Sequence, residues 1–152
     1  MKHPVRNRRN QRGNGAIEFA LGFSALFACF TGVFQYGYTM YIYNALQTAV
    51  SSGAAFASRT DYCADKTTEF NTQIQQMVVY GSPTVSSGTS TVPALTTAKV
   101  TVTATPLTFP QSITVAIKDY PANAMFSTFT FTNKPAVTMR YLGNYRPAGS
   151  GC

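Results

Sequence analysis

The stretch that decides the fold is residues 12–36, RGNGAIEFALGFSALFACFTGVFQY, in which one carboxylate, Glu18, stands at the start of a long apolar run. No charged residue occurs between Glu18 and Arg59. As a helix, the 21 residues from Ala16 to Tyr36 would span about 31 Å, which is close to the hydrocarbon thickness of a bilayer. The run is also longer than the apolar core of a cleavable secretory signal. The sequence therefore predicts a membrane-spanning helix.

Basic residues indicate how this helix is oriented. The net charge of the 152-residue chain is +7, and five of its cations precede Gly13 without an intervening acid: Lys2, Arg6, Arg8, Arg9 and Arg12. Only +2 is left for the rest of the chain. A basic block before an apolar run predicts that the N-terminus lies in the cytoplasm and the residues after Tyr43 outside. Because the cations do not lie in the folded body, we expect no nucleic-acid partner.

Small residues and phenylalanines form two ridges on the predicted helix. The small ridge recurs every fourth residue: Ala16, Ala20, Ser24, Ala28 and Gly32. The bulky ridge has helical spacing as well: Phe19, Phe23, Phe27, Phe30 and Phe34. A small ridge lets another helix approach closely, so we interpret this surface as one for lateral helix packing. The alternative is the ordinary composition of a membrane helix. Four tyrosines beyond the span predict an interfacial belt, or else core tyrosines: Tyr36, Tyr38, Tyr41 and Tyr43.

Glu18 has two explanations. A carboxylate in the first helical turn complements the helix dipole, for about 0.3–1 kcal/mol, which is sufficient for a simple anchor. If the chain is instead cut after Gly13, Asn14 becomes the amino terminus and Glu18 becomes the fifth residue. The carboxylate then lies one turn from a free ammonium with which it can pair, within one subunit or between neighbours, where an unpaired charge would be costly.

The same residues resemble a known family. The basic leader, Gly13, Glu18, Phe19 and the apolar helix are similar to the processing region of type IV prepilins. With YNALQ at 43–47 and GAAFA at 53–57, the stretch resembles the TadE-like minor pilins, or pseudopilins, of tight-adherence (Flp-type) pili, over roughly residues 12–58.

The resemblance implies cleavage after Gly13 by a membrane-embedded prepilin peptidase. It also implies that the N-terminal helix joins other pilin or pseudopilin subunits and the inner-membrane pilus assembly machinery. Asn14 is polar, whereas major type IV pilins usually begin with an apolar or aromatic residue, so N-methylation of the new terminus is left open.

The remaining sequence predicts an α+β head. We divide the chain into a basic leader (1–13), a transmembrane and extended helix (14–58) and an extracytoplasmic head (59–152). No proline occurs between Val5 and Ser82, so the first helix is expected to run toward Ser58, with Gly53 as a weak point.

A second helix is expected to follow, with Thr60 or Asp61 as its N-cap. Its apolar positions have helical spacing: Phe70, Ile74, Met77 and Val78. Tyr80-Gly81-Ser82-Pro83 should end it, and the serine- and threonine-rich residues 82–97 are typical of an exposed loop.

Four later runs alternate with period two and predict short strands at 99–103, 112–118, 125–132 and 136–142. We expect an antiparallel sheet packed on a helix. Its predicted core residues are Val100, Val102, Ile113, Val115, Ile117, Phe129 and Phe131.

The cysteines differ in kind. Cys29 lies in the apolar span and is interpreted as a small packing residue. Cys63 and Cys152 lie on the outer side, where a disulfide can form. We predict that they pair, the alternative being a free or intermolecular thiol.

No catalytic constellation is apparent, and we expect neither an enzyme nor a cofactor. The one histidine, His3, lies in the leader. Three acids spaced by four could hold a cation on one helix face, although a solvated face complementing the helix dipole is favoured: Asp61, Asp65 and Glu69. The sequence allows two roles equally for the last aromatic and basic residues, a partner-facing patch or core and edge-strand positions. These residues are Tyr141, Tyr145 and Arg146.

The alternative to a pilus subunit is an uncleaved, single-pass anchored module that presents its head for binding.

Overall fold

A computed structural model describes residues 11–106, 109–124 and 127–149 and confirms the expected α+β class. The elements in chain order are α1 (Gln11–Arg59), β1 (Tyr62–Cys63), α2 (Thr67–Tyr80), β2 (Val100–Thr105), β3 (Ser112–Ile117), β4 (Tyr120–Asn123), β5 (Thr128–Phe131), β6 (Ala136–Arg140) and β7 (Tyr145–Arg146). The chain forms two compact units, Met1–Tyr38 and Thr39–Cys152.

The first unit is the N-terminal part of α1, and its apolar side chains are exposed. Ile17, Leu21 and Leu26 are 63%, 69% and 67% exposed, which is unusual for large apolar side chains in a water-soluble fold. An 18-residue window of this helix has a mean hydropathy of 1.8, and none of that window is buried. Among the residues that the structure describes, this is the one helix long and apolar enough to cross a membrane.

In the second unit, α1 and α2 pack together at Gly53. A β-carbon on Gly53 would overlap Cγ2 of Val78 and lie 3.7 Å from the carbonyl oxygen of Ile74. The absent side chain therefore lets α2 approach α1 closely. The expected weak point is instead a helix contact, and α1 continues through it to Arg59.

The start of α2 differs from the prediction. The helix begins at Thr67, so neither Thr60 nor Asp61 is its N-cap, and β1 and a short 3-10 turn, Ala64–Lys66, precede it. Thr60 instead extends the last turn of α1, because both its amide and its hydroxyl donate to the carbonyl of Phe56 (3.1 and 2.9 Å). The Asp61 carboxylate accepts hydrogen bonds from the backbone and side-chain amides of Asn144.

The predicted end of α2 is confirmed. Gly81 adopts a left-handed conformation (φ +73°), and its amide donates to the carbonyl of Met77, as is common at helix C-termini. The following loop is only partly exposed, since Val92 and Leu95 are buried. The amide and hydroxyl of Thr91 donate to the carbonyl of Val79 (2.7 and 2.6 Å) and so satisfy the end of the helix.

The predicted antiparallel sheet is found in β2, β3 and β6, in that order. Val115 of β3 lies between Val102 of β2 and Val137 of β6. The fourth expected strand, β5, does not join this sheet but pairs antiparallel with β4. β4 contains Pro121, which has no amide proton to donate. A two-stranded sheet tolerates proline because each of its strands has an unpaired edge. β1 and β7 form a third, parallel pair.

The core of the head lies between the helices and this three-stranded sheet. Leu46 and Val50 of α1 and Ile74 of α2 are fully buried. Four of the predicted core residues on the strands are buried: Val100, Ile113, Val115 and Ile117. Two more, Val102 and Phe131, are half-buried. Phe129 was predicted wrongly, because it lies nearer the tip of the β4–β5 hairpin and is 48% exposed.

Candidate processing and assembly site

The Gly13–Asn14 bond lies in α1. Glycine costs about 1 kcal/mol relative to alanine inside a helix, so Gly13 weakens the helix at the proposed cut. The side chain of Asn14 lies outside the described residues.

Glu18 is an exposed residue two turns into α1, and the first turn of this helix contains no acid. It follows Gln11 by seven residues, or about 10 Å along the axis. The helix dipole acts mainly within the first turn, so the simple-anchor explanation does not account for Glu18 in the uncut helix. In a chain that begins at Asn14, the same carboxylate would lie about 6 Å from the helix start.

The two ridges on α1 are both exposed. The rings of Phe19, Phe23 and Phe27 stack successively, with centroids 6.1 and 6.2 Å apart. All five residues of the small ridge are exposed, and a β-carbon on Gly32 would meet no atom within 4 Å. The Ser24 hydroxyl donates to the carbonyl of Ala20 (2.8 Å), so this polar group is satisfied within its own helix. Cys29 is free and exposed on the same helix.

The predicted tyrosine belt divides into two parts. Tyr36 and Tyr41 are 66% and 68% exposed, and Tyr38 is 37% exposed. Tyr43 is half-buried, and its ring meets that of Phe131 edge-on at 5.6 Å. Tyr43 therefore contributes to the packing of the head.

Tyr141 joins three segments of the head. Its hydroxyl oxygen accepts a hydrogen bond from the amide of Tyr62 (2.8 Å), and its proton faces the carbonyls of Asn144 (2.8 Å) and Thr60 (3.0 Å). A β-carbon on Gly143 would lie 2.6 Å from the Thr60 carbonyl, so a glycine is needed for this approach.

Burial raises the pKa values of both tyrosines at this junction. The Tyr141 pKa is also raised by the charge of Asp61 and is lowered in part by the hydrogen bond from Tyr62. For Tyr62, the neighbouring Tyr145 adds to the effect of burial on the pKa. Both pKa shifts favour the neutral hydroxyl over the charged phenolate.

The segment that follows Tyr141 is tied back to the start of the head. Tyr145 stacks on Tyr62 at 6.1 Å and meets Phe109 edge-on at 5.1 Å. The Asp65 carboxylate accepts a hydrogen bond from the amide of Gly149 (2.8 Å). Tyr141 and Tyr145 thus pack within the head, whereas Arg146 is exposed.

Cys63 is bonded in a disulfide. Its predicted partner, Cys152, lies outside the described residues, so this pairing stays a prediction that a non-reduced peptide map would test.

The candidate cation site is not assembled. Asp61 and Asp65 precede α2, so they do not share a helix face with Glu69. Within residues 11–149, apart from the two short gaps, no three His, Cys, Asp or Glu side chains are grouped so that they could hold a metal ion. A cleft of about 650 Å³ is lined by residues including Gln111, Arg140 and Tyr145.

A comparison with known protein families gave a match for the N-terminal segment. Residues 13–55 match the family described as TadE-like protein. No curated protein and no solved structure gave a match. The matched segment contains Gly13, Glu18, Phe19, the apolar helix and the YNALQ block, which are among the features that carried the resemblance. The family suggests a pilin-like protein associated with the tight-adherence pilus, and the candidate membrane span agrees with this. The similarity to the TadE-like protein family therefore covers residues 13–55, the helical N-terminal segment of the chain.

Proposed function

We propose that this protein is a minor pilin, or pseudopilin, that a prepilin peptidase cuts after Gly13 and that then becomes a structural subunit of a tight-adherence pilus. The observation that carries the proposal is the position of Glu18, an exposed carboxylate of α1 and the one charged residue between Arg12 and Arg59.

Cleavage gives Glu18 a partner. The new ammonium at Asn14 would lie within about one helical turn of the carboxylate, in the same subunit or a neighbouring one. Where the ammonium belongs to a neighbouring subunit, this pairing favours the assembled state over an isolated subunit, because an unpaired charge in a low-dielectric bundle is costly. Removal of the leader also removes five cations, which leaves the mature helix with one charge of each sign near its start.

The exposed ridges supply the contacts for assembly. In lipid, helices associate by close packing, because the hydrophobic effect does not distinguish a helix from lipid tails. Small residues such as Ala20 and Gly32 allow the backbone of a partner helix to approach, and phenylalanines such as Phe23 can fill the spaces between small residues on that partner.

The proposed partners are the prepilin peptidase, membrane lipid, and the other pilin subunits and inner-membrane assembly proteins. The N-terminus would lie in the cytoplasm and the head on the outer side of the inner membrane. In this role the protein is a substrate and building block rather than an enzyme.

Two glycine variants test the proposal with a matched control. The chain is expressed in the membrane with and without an active prepilin peptidase, and its mass is measured. Wild type and Gly15→Leu should both lose residues 1–13, whereas Gly13→Leu should stay intact. Processing of Gly13→Leu at the wild-type rate, or no processing of the wild type, would overturn the proposal and favour an uncleaved, membrane-anchored binding module.

A further inference from the structure

We propose that the edge of β6 that faces away from β3, together with the cleft at the end of β6, binds an extended acidic peptide segment of a partner protein as an added strand. The residues that form this site all lie in the unit Thr39–Cys152. The inference goes beyond the proposed function, because the site is the same whether or not the chain is cut after Gly13.

The hydrogen bonds of β6 show which of its backbone groups are free. The amide of Ile117 donates to the carbonyl of Pro135 (3.1 Å), and the amide of Tyr141 donates to the carbonyl of Gln111 (2.8 Å). The backbone groups at odd-numbered positions of β6 therefore face β3, and those at even-numbered positions point away from it, because the two directions alternate along a strand. The residues at even positions are all exposed: Ala136, Thr138 and Arg140.

Neighbouring elements occupy other parts of the sheet edges but not this one. The amide of Leu142, the next even position, donates to the carbonyl of Ser58 at the end of α1 (2.8 Å). On the opposite edge of the sheet, the side-chain amide of Gln75 donates to the carbonyl of Val100 (3.0 Å). Within the described part of the chain, no such bond reaches the even positions of β6. A strand edge with unpaired backbone groups is a template for pairing with another strand.

The cleft of about 650 Å³ lies at the end of this edge. Thr138 and Arg140 of β6 line it together with Phe109 and Tyr145. The ring of Phe109 is 58% exposed and meets the ring of Tyr145 edge-on, so it offers an apolar surface to a side chain of the added strand. Because the cleft and the free backbone groups share Thr138 and Arg140, one extended ligand can contact both.

Arg140 gives the cleft a positive charge. Its guanidinium has no salt-bridge partner among the described residues, and none of the described residues that line the cleft is an acid. Asp61 is held by the two amides of Asn144 (3.4 and 3.2 Å) and lines a different cleft with Arg146. A guanidinium matches the geometry of a carboxylate, so the charge of Arg140 favours an acidic ligand.

The free backbone groups favour a peptide over other anions. An extended peptide carries one donor and one acceptor per residue, which match the free groups along a strand edge. An acidic saccharide has no groups at that spacing. A second copy of β6 is a poorer fit, because its sequence, AVTMR, contains no acid for Arg140.

Amide exchange on the full chain tests the proposal. The protein is held in detergent micelles, and the exchange of single backbone amides is measured by nuclear magnetic resonance with the acetylated and amidated heptapeptide TVTETVT as the probe. At about ten times the dissociation constant of the peptide, exchange of the Thr138 amide should slow about tenfold, because most molecules have the peptide bound. The amide of Val102 points away from β3 on the opposite edge of the sheet and should not change.

Two arginine variants test the contribution of charge. Arg140→Gln should weaken the binding of TVTETVT roughly fivefold through the loss of an exposed ion pair. The same variant should bind the glutamine peptide TVTQTVT as the wild type does. Arg146→Gln removes an exposed cation that does not line the cleft, and it should leave the binding of both peptides unchanged.

Several results would overturn the proposal. It is wrong if TVTETVT does not bind, if the peptide binds without slowing exchange at Thr138, or if Arg146→Gln weakens binding as much as Arg140→Gln. It is also wrong if trigalacturonate, an acidic saccharide, binds in a way that depends on Arg140 and the peptide does not. Protection of Thr138 that rises with the concentration of the protein alone would show that a second copy of the chain occupies this edge, which would overturn the proposal too.

Discussion

The hydroxyl oxygen of Tyr141 lies 2.8 Å from the amide nitrogen of Tyr62 and accepts its hydrogen bond, although 79 positions separate the two residues in the chain. The same hydroxyl faces the carbonyls of Thr60 and Asn144. It therefore holds together the residues that follow α1, the first strand and the segment before β7.

Tyr141→Phe should destabilise the head by about 0.5–1.5 kcal/mol, because the hydrogen bonds of the hydroxyl are lost while the ring still packs and the Tyr62 amide keeps the Asn144 carbonyl as an acceptor. Urea unfolding of the full chain in detergent, followed by near-ultraviolet circular dichroism, measures this change. Tyr41→Phe removes a hydroxyl from a ring that is 68% exposed and should have no effect. Equal stability of Tyr141→Phe and Tyr41→Phe would show that the junction contributes nothing.

The raised pKa values of Tyr141 and Tyr62 predict a loss of stability at alkaline pH. In the unfolded chain, tyrosine loses its proton near the ordinary pKa of 10.0, whereas the folded chain keeps the proton to higher pH. The contribution is therefore fully present below pH 10.0 and is lost as the pH rises toward the folded-state pKa. Urea midpoints measured from about pH 8 to 11 should fall above pH 10. Tyr141→Phe should flatten that fall, and an unchanged slope in this variant would contradict the assignment.

Gly53→Ala should destabilise the head although alanine favours a helix by about 1 kcal/mol over glycine. The new methyl group overlaps Val78, and overpacking costs about 1–3 kcal/mol. The double variant Gly53→Ala/Val78→Ala should lose less stability than the sum of the two single variants. Val78→Ala removes the atoms that the new methyl group overlaps, and that methyl group fills part of the space that Val78 leaves. Gly37→Ala, where a β-carbon meets no atom within 4 Å, is the control. Additive losses in the thermal melts would argue against a direct contact.

The sequence predicted best those features that depend on residues close together in the chain. Alternating residues such as Val115 and Ile117 predicted β3 well, because burial on one face of a strand leaves a period of two. Gly81 likewise predicted the end of α2, since a left-handed C-terminal residue is a local requirement. β1 has two residues, Tyr62 and Cys63, which is too few for any period.

The errors involved partners far apart in the chain. The role of Asp61 depends on Asn144, 83 residues later, so its local spacing suggested a helix cap that the fold does not use. The processing site at Gly13 and Glu18 stays a prediction, and it could be made from the sequence because both residues lie in one continuous helix. Their role in assembly depends on other chains, which no single sequence contains.

Glu18→Val should separate processing from assembly. The variant keeps Gly13 and the apolar helix, so the peptidase should still remove the leader. Loss of the carboxylate leaves the new ammonium unpaired, and incorporation into sheared pilus fractions should fall at least tenfold, the change expected from about 1.4 kcal/mol. Immunoblots of membrane and pilus fractions measure both steps, with Thr48→Val, at an exposed position of α1, as the control. Normal piliation by Glu18→Val would refute the pairing of the carboxylate with the terminus.

The most direct measurement is the N-terminal residue of the protein extracted from membranes of cells that contain a working prepilin peptidase. Mass spectrometry of the N-terminal peptide should identify Asn14 as the first residue, with residues 1–13 absent. A chain that still begins at Met1 would contradict the central claim.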